Sequence, residues 1–130
     1  MINDVQKGVY DMLSADAMLT AILGSRIYPV EAPQKVRSPY IIMRELDINE
    51  IPSKDGPIPQ GWVFQVDVYA KTYDEVRSIK TTVRKALNWA TFTLSEGGNI
   101  RTRITDNSDA PFRNPLGLYQ YIIDAAARLT

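Results

Sequence analysis

RELDINE, residues 44–50, holds the densest set of carboxylates in the chain: Glu45, Asp47 and Glu50. Acids this close suit a hard cation such as Mg or Ca, which takes oxygen ligands. The glycine-pinned loop of a calcium motif is missing, so acids at the water-facing end of a strand are the better reading. Asp106, Asn107 and Asp109 form a looser group, which Asx-turn chemistry explains. Gly24, the Gly97-Gly98 pair and Gly117 fall in neither GxxxxGK[ST] nor GxGxxG, so nucleotide binding has no support.

Two absences exclude most of catalysis. The chain has Cys 0 and His 0. It therefore has no disulfide framework, thiolate nucleophile, Cys/His zinc site or Ser-His-Asp triad. The commonest general base near neutral pH is also missing. Serine and lysine remain as nucleophiles, but no spacing pairs them with a base. The sequence predicts no enzyme, no cofactor and no metal.

Cations offer one more possibility. Arg77, Lys80 and Arg84 fall at i, i+3 and i+7, a basic ridge that could touch phosphates. Arg101 and Arg103, alternating on a strand, could do the same. A solvated helix face, with Lys80 laying its stem along the core, is the simpler reading of the ridge. No aromatic residue interleaves with these cations, so stacking on bases is not indicated.

The elements that position these residues follow from periodicity and caps. With 130 residues, 45% hydrophobic and 23% charged, one globular domain over residues 1–130 is expected. Basic and acidic residues balance at 15 each, so no global field draws the chain to nucleic acid or membrane. The N-terminus lacks the apolar core of a signal peptide and no run spans a bilayer, which predicts a soluble chain made in the cytoplasm.

Ile2, Val5, Val9, Met12 and Leu13 recur at helical spacing, with Asn3 and Gln6 in the capping-box relation. Ser14 is expected to cap a second short helix, ADAMLTAIL, ended by Gly24, giving a bent N-terminal arm. GSRIYPVEAPQ, residues 24–34, then shows neither period. Its prolines fix φ and remove amide donors, so it should run extended without full pairing. It reads either as a loop on its own core or as an arm whose Ile27, Tyr28 and Val30 rest on a neighbouring copy.

SPYIIMREL is a strand. DINEIPSKDGPIPQ reads as a long exposed loop or a loosely paired hairpin turning near Asp55-Gly56. GWVFQVDVYAK is the clearest strand: Trp62, Phe64, Val66, Val68 and Ala70 on one face, Gln65, Asp67 and Lys71 with Val63 and Tyr69 on the other. TYDEVRSIKTTVRKALNWA is the best helix, with Thr72 as N-cap, Glu75 at the capping-box position, and Val76, Ile79, Val83, Ala86 and Leu87 as its buried stripe. TFTLSEGGNIRTRIT makes two short strands, and LGLYQYIIDAAARLT, after a polar loop, the last. The expected architecture is α+β: a single, mainly antiparallel sheet of four to five strands, with a bent N-terminal helix and one long helix packed on it.

SADAMLTAILGSRIYP, APQ, SPYIIM, VFQVDVYAKTYDEVRSIKTTVRKAL and YQYIIDAAARL, in this order and spacing, resemble the tail completion proteins of long-tailed bacteriophages, also described as tail terminators or tail-to-head joining proteins. The resemblance covers roughly residues 5 to 129 and implies a structural part, not a catalyst. Such proteins assemble as a ring, typically a hexamer, on the head-proximal end of the tail. The implied partners are other copies of the chain, the tail tube protein and the head connector, with DNA passing through the lumen without sequence-specific binding. The implied location is the host cytoplasm during assembly, then the virion.

A ring built head-to-tail needs contacts that close. A proline-stiffened segment loses little entropy on docking, which makes Arg26, Ile27, Tyr28 and Val30 the candidate subunit interface. Asp47, Glu50, Ile51, Lys54 and Asp55 are the candidate contact with tube, connector or lumen, since long connections are often functional. Arg77, Lys80 and Arg84 remain the candidate phosphate contacts. The alternative function is a ligand-binding domain with Trp62, Tyr69, Tyr73 and Trp89 around a pocket between sheet and helices.

Overall fold

The computed structural model describes residues 4–29, 37–51, 54, 58–93, 98–105, 111–115 and 117–129. It opens with two helices, α1 (Asp4–Ala15) and α2 (Ala17–Leu23). The break between them is set by Asp16, whose carboxylate accepts hydrogen bonds from the backbone N–H groups of Met18 and Leu19 at 3.0 and 3.1 Å. This is the capping role expected of Ser14, and the ionised carboxylate is the stronger acceptor for orphan N–H groups. Ser14 instead stays within α1, where its carbonyl accepts from the Thr20 hydroxyl at 2.9 Å. Gly24 ends α2 at φ 60 and donates its N–H to the Thr20 carbonyl, as a residue without Cβ can. The expected cap at Asn3 lies outside the described residues.

The next segment runs extended and is only partly paired, as its prolines predict. β1 (Ile27–Pro29) runs parallel to β2 (Tyr40–Ile51), Ile27 opposite Ile41 and Pro29 opposite Met43. β1 is an edge strand, where a missing proline N–H is tolerated. β3 (Ile58–Ala70) runs antiparallel to β2 from Tyr40–Tyr69 out to Ile51–Ile58, with irregularities between Glu45 and Asp47 and between Asn49 and Glu50. Residues 47–51 and 58–61 are therefore arms of a hairpin, the second of the two sequence readings.

α3 (Tyr73–Leu87) follows, with the Thr72 hydroxyl accepting from the Glu75 N–H at 3.2 Å as its cap predicts. Then come β4 (Thr91–Thr93), β5 (Asn99–Ile104), the two-residue β6 (Phe112–Arg113) and β7 (Tyr119–Leu129). The sheet order is β1-β2-β3-β7-β5-β4, with β6 also on β7. All pairs but β1–β2 are antiparallel.

The architecture is thus the expected mixture of helices on a mainly antiparallel sheet, with the bent N-terminal arm formed by α1 and α2 and the long helix by α3, but with seven strands among the described residues rather than four to five. The two unexpected strands, β1 and β6, are three and two residues long. Neither is long enough to show a period, and each exists because a neighbouring strand offers an edge.

One face of the sheet forms the core. Trp62, Phe64, Val66, Val68 and Ala70 of β3 and Tyr121, Ile123, Ala125 and Ala127 of β7 are buried there against all three helices. Val76, Ile79, Val83 and Leu87 supply the α3 stripe as predicted. Gly8 lets α1 approach β4, since a Cβ there would overlap the Phe92 ring.

The end of α3 is stitched to β5. The buried Thr102 hydroxyl donates to the Leu87 carbonyl at 2.6 Å, and the Thr102 N–H to the Ala90 carbonyl at 2.8 Å. Thr102→Val keeps the shape but orphans a buried acceptor. It is expected to cost about 1 to 2 kcal/mol, read as a lower urea midpoint at unchanged slope.

Candidate assembly surface

The face of the sheet away from the helices carries a layered set of side chains. Cross-strand pairing places Tyr40 opposite Tyr69, Ile42 opposite Asp67 and Arg44 opposite Gln65, with Gln120, Ile122 and Asp124 of β7 continuing these rows. The first row is aromatic. Tyr40 and Tyr69 stack with ring centroids 4.7 Å apart, and Tyr28 of β1 meets Tyr40 edge-on at 6.5 Å.

Below it lies a buried charge. Asp67 is 1% exposed although it lies on the face of the sheet away from the described helices. Arg44 Nη2 donates to its Oδ2 at 2.9 Å, Gln65 Nε2 to its Oδ1 at 2.9 Å, and the Tyr69 hydroxyl approaches Oδ2 at 3.5 Å. The alternation of β3 places Asp67 on the solvent face. What it cannot show is that Arg44, Gln65 and Tyr69 close over the carboxylate there. Tyr69 registers this setting. Burial first, then the negative charge of Asp67 and the neighbouring Tyr40, push its phenol from 10.0 to about 12.

The unfolded chain gives up that proton near pH 10, while the fold holds it to about 12. Between these values the unfolded state binds fewer protons, so stability is full below the window and falls as pH rises through it. Ultraviolet phenolate absorbance should show Tyr69 titrating late, in company with Tyr40, whose phenol is also pushed up by burial. Tyr69→Phe should remove both that step and its share of the alkaline loss of stability.

The other end of this face is basic. Arg101 of β5 stands directly opposite Arg128 of β7, and Arg103 follows opposite Ala126. All three are exposed, and none makes an ion pair with a described residue. Beside them Trp89 is 63% exposed with φ 60, a left-handed backbone uncommon for a bulky residue. Its neighbours hold it there: Asn88 Oδ1 accepts from the Ile104 N–H at 3.3 Å, and Ala90 is bonded to Thr102. No sequence signal marks Trp89 as outward-facing.

The other predicted residues are placed as follows. Arg26 turns inward, its Nε donating to the Pro39 carbonyl at 2.9 Å and its Nη2 to the Ile22 carbonyl at 3.1 Å, tying α2 to the start of β2. Ile27 is 3% exposed and belongs to the core of its own chain, because its place in β1 points it inward with Ile41. Tyr28 is half-buried on the open face at the sheet edge. Asp47, Glu50 and Ile51 lie in β2, and Lys54 is an exposed turn residue. Val30 and Asp55 lie outside the described residues.

The ridge on α3 is anchored at its centre. Lys80 Nζ sits 4.4 Å from the centroid of the buried Tyr121 ring, and Arg84 Nη1 donates to the Tyr121 hydroxyl at 3.4 Å. Arg77 lies over Tyr73, 5.7 Å from its centroid. The four aromatics expected around a ligand do not converge. Trp62 is core, Tyr69 is on the opposite face, and Tyr73 and Trp89 are exposed. A shallow groove of about 460 Å³ between α2 and α3, with Met18, Ser78, Thr82 and Lys85 on its walls, holds none of them.

Among the described residues the helices lie on one face of the sheet, and its two edges, β1–β2 and β5–β4, differ. The family model described as tail completion protein gp17 matches residues 7–130. The chain belongs to that family and is a structural protein of the phage virion, a component of the tail. Solved structures share the fold. A chain in the virion of a native gene transfer agent particle aligns at TM-score 0.78 with 22% identity, covering 97% of this chain and 94% of that one. The gp17 protein of bacteriophage SPP1 aligns at TM-score 0.64 with 14% identity, covering 97% and 88%. No curated protein matches the sequence at a significant level. Among the described residues no helix is long and apolar enough to cross a membrane.

Proposed function

We propose that copies of this chain close into a ring, a hexamer, at the head-proximal end of the tail, where it ends growth of the tail tube, joins the tail to the head connector, or does both. Membership of the tail completion family over residues 7–130 carries this reading. The fold is compatible with it: the sheet ends in two different edges, β1–β2 and β5–β4, as head-to-tail contacts between copies require. In this reading Tyr28 and the segment through Val30 belong to the subunit contact. The segment between β2 and β3, with the exposed Lys54, reaches the tube, the connector or the lumen. Arg77, Lys80 and Arg84 face passing DNA without reading its sequence. The role is that of a part, not a catalyst.

The test is electron microscopy of particles from a host induced with this gene deleted. Filled heads beside overlong tails assign the capping of tube growth. Tails of normal length lying apart from filled heads assign the joining step. Intact infectious particles overturn the reading.

A further inference from the structure

We infer that the β4–β5 edge of one copy docks on the β1–β2 edge of the next, bringing Trp89, Arg101, Arg103 and Arg128 against the acidic stretch of β2. This rests on the ring reading and names the surfaces that make the ring. Observations on both edges carry it. Arg101 and Arg128 face each other across paired strands, an arrangement that repels in an isolated subunit and is relieved by a negative partner. Trp89 is held outward in a strained backbone by bonds on both sides. Such strain persists where the surroundings over-determine it, which clusters at functional sites. Exposed tryptophan and arginine together have the composition of an interface hot spot.

The complement lies on the far edge of the same sheet. Residues 45–51 read ELDINEI, three acids and no base. Among the described residues no strand pairs with the outer side of β2 beyond Met43. Tyr28, packed on Tyr40 at the start of β2, adds an aromatic surface to the same edge. Because basic and acidic edges are at opposite ends of one sheet, each copy can donate one and receive on the other. That is a heterologous contact, which closes into a ring when its rotation allows.

A cysteine-free chain makes the test direct. Asn49→Cys and Thr91→Cys are combined in one chain, added to tail tubes purified from a lysate lacking this gene, and oxidised. The expected result is a ladder of cross-linked dimer, trimer and higher species, while either single variant stops at dimer. Arg101→Glu with Arg103→Glu should reduce the ladder at least tenfold, and adding Asp47→Lys with Glu50→Lys should restore it. Trp89→Gly, which suits the left-handed backbone, should leave the subunit's thermal midpoint unchanged or raised while the ladder is lost.

Wild-type rings seen on the tubes without a ladder overturn this contact and leave the ring standing. Tubes that bind no ring of the wild type overturn both. Rings that form normally with the arginines reversed, but lose DNA, assign those residues to nucleic acid and overturn the contact.

Discussion

Arg44→Met is expected to destabilise the fold by about 3 to 5 kcal/mol, more than Asp67→Leu does, although Arg44 is the more exposed of the two. The asymmetry follows from burial. The Arg44 side chain is 43% exposed and that of Asp67 1%. Without Asp67, the guanidinium turns into water and keeps its hydration. Without Arg44, a carboxylate stays buried with Gln65 and the longer Tyr69 contact as its remaining partners among the bonds described above, and the full desolvation penalty falls on the fold. The double variant Arg44→Met/Asp67→Leu should lie close to wild type, because a buried pair replaced by apolar groups of similar volume is often neutral or stabilising. Urea unfolding of the four chains closes the cycle. A double variant as unstable as Arg44→Met would show that stem packing, and not the charge, is what Arg44 contributes.

Tyr121→Ala should be comparably severe, at about 3 to 5 kcal/mol. Tyr121 is one of the largest fully buried side chains and lies on β7 under α3, so its removal leaves a cavity that the sheet cannot close. Tyr121→Phe isolates the polar part. It keeps the ring that attracts Lys80 Nζ and removes the hydroxyl that accepts from Arg84, so a loss of about 1 kcal/mol is expected. The pair of variants also bears on the ridge. If Lys80 and Arg84 serve the fold through Tyr121, then Lys80→Ala should cost stability without changing DNA retention in assembled particles. If they serve passing DNA, the reverse holds. Thermal midpoints and particle DNA content separate the two.

Only part of the candidate surface was legible in advance. The basic residues of β5 were visible as an alternating Arg101-Thr-Arg103 pattern, but their company was not. Arg128 comes from β7, and only pairing sets it opposite Arg101. From the sequence Trp89 reads as one wall of a pocket between sheet and helices, because hydrophobicity is a property of the residue, while its outward position comes from the bonds of Asn88 and Ala90 to β5. Ile27 had the reverse fate, an apolar residue expected at an interface and drawn into its own core by a strand three residues long.

Local chemistry alone determined α3, with its cap at Thr72 and stripe from Val76 to Leu87, and the alternation of β3 from Trp62 to Ala70. It also determined the two N-terminal helices and the final strand. Those features depend on residues within a turn or two of one another, so period and capping report them. Tertiary structure decided the rest. It paired Arg44 with Asp67 across 23 residues, gave β1 and β6 an edge to join, and set the order in which acidic β2 and basic β5 fall near opposite ends of one sheet. Each of these depends on register between distant strands, and register is a relation between segments that no single segment encodes.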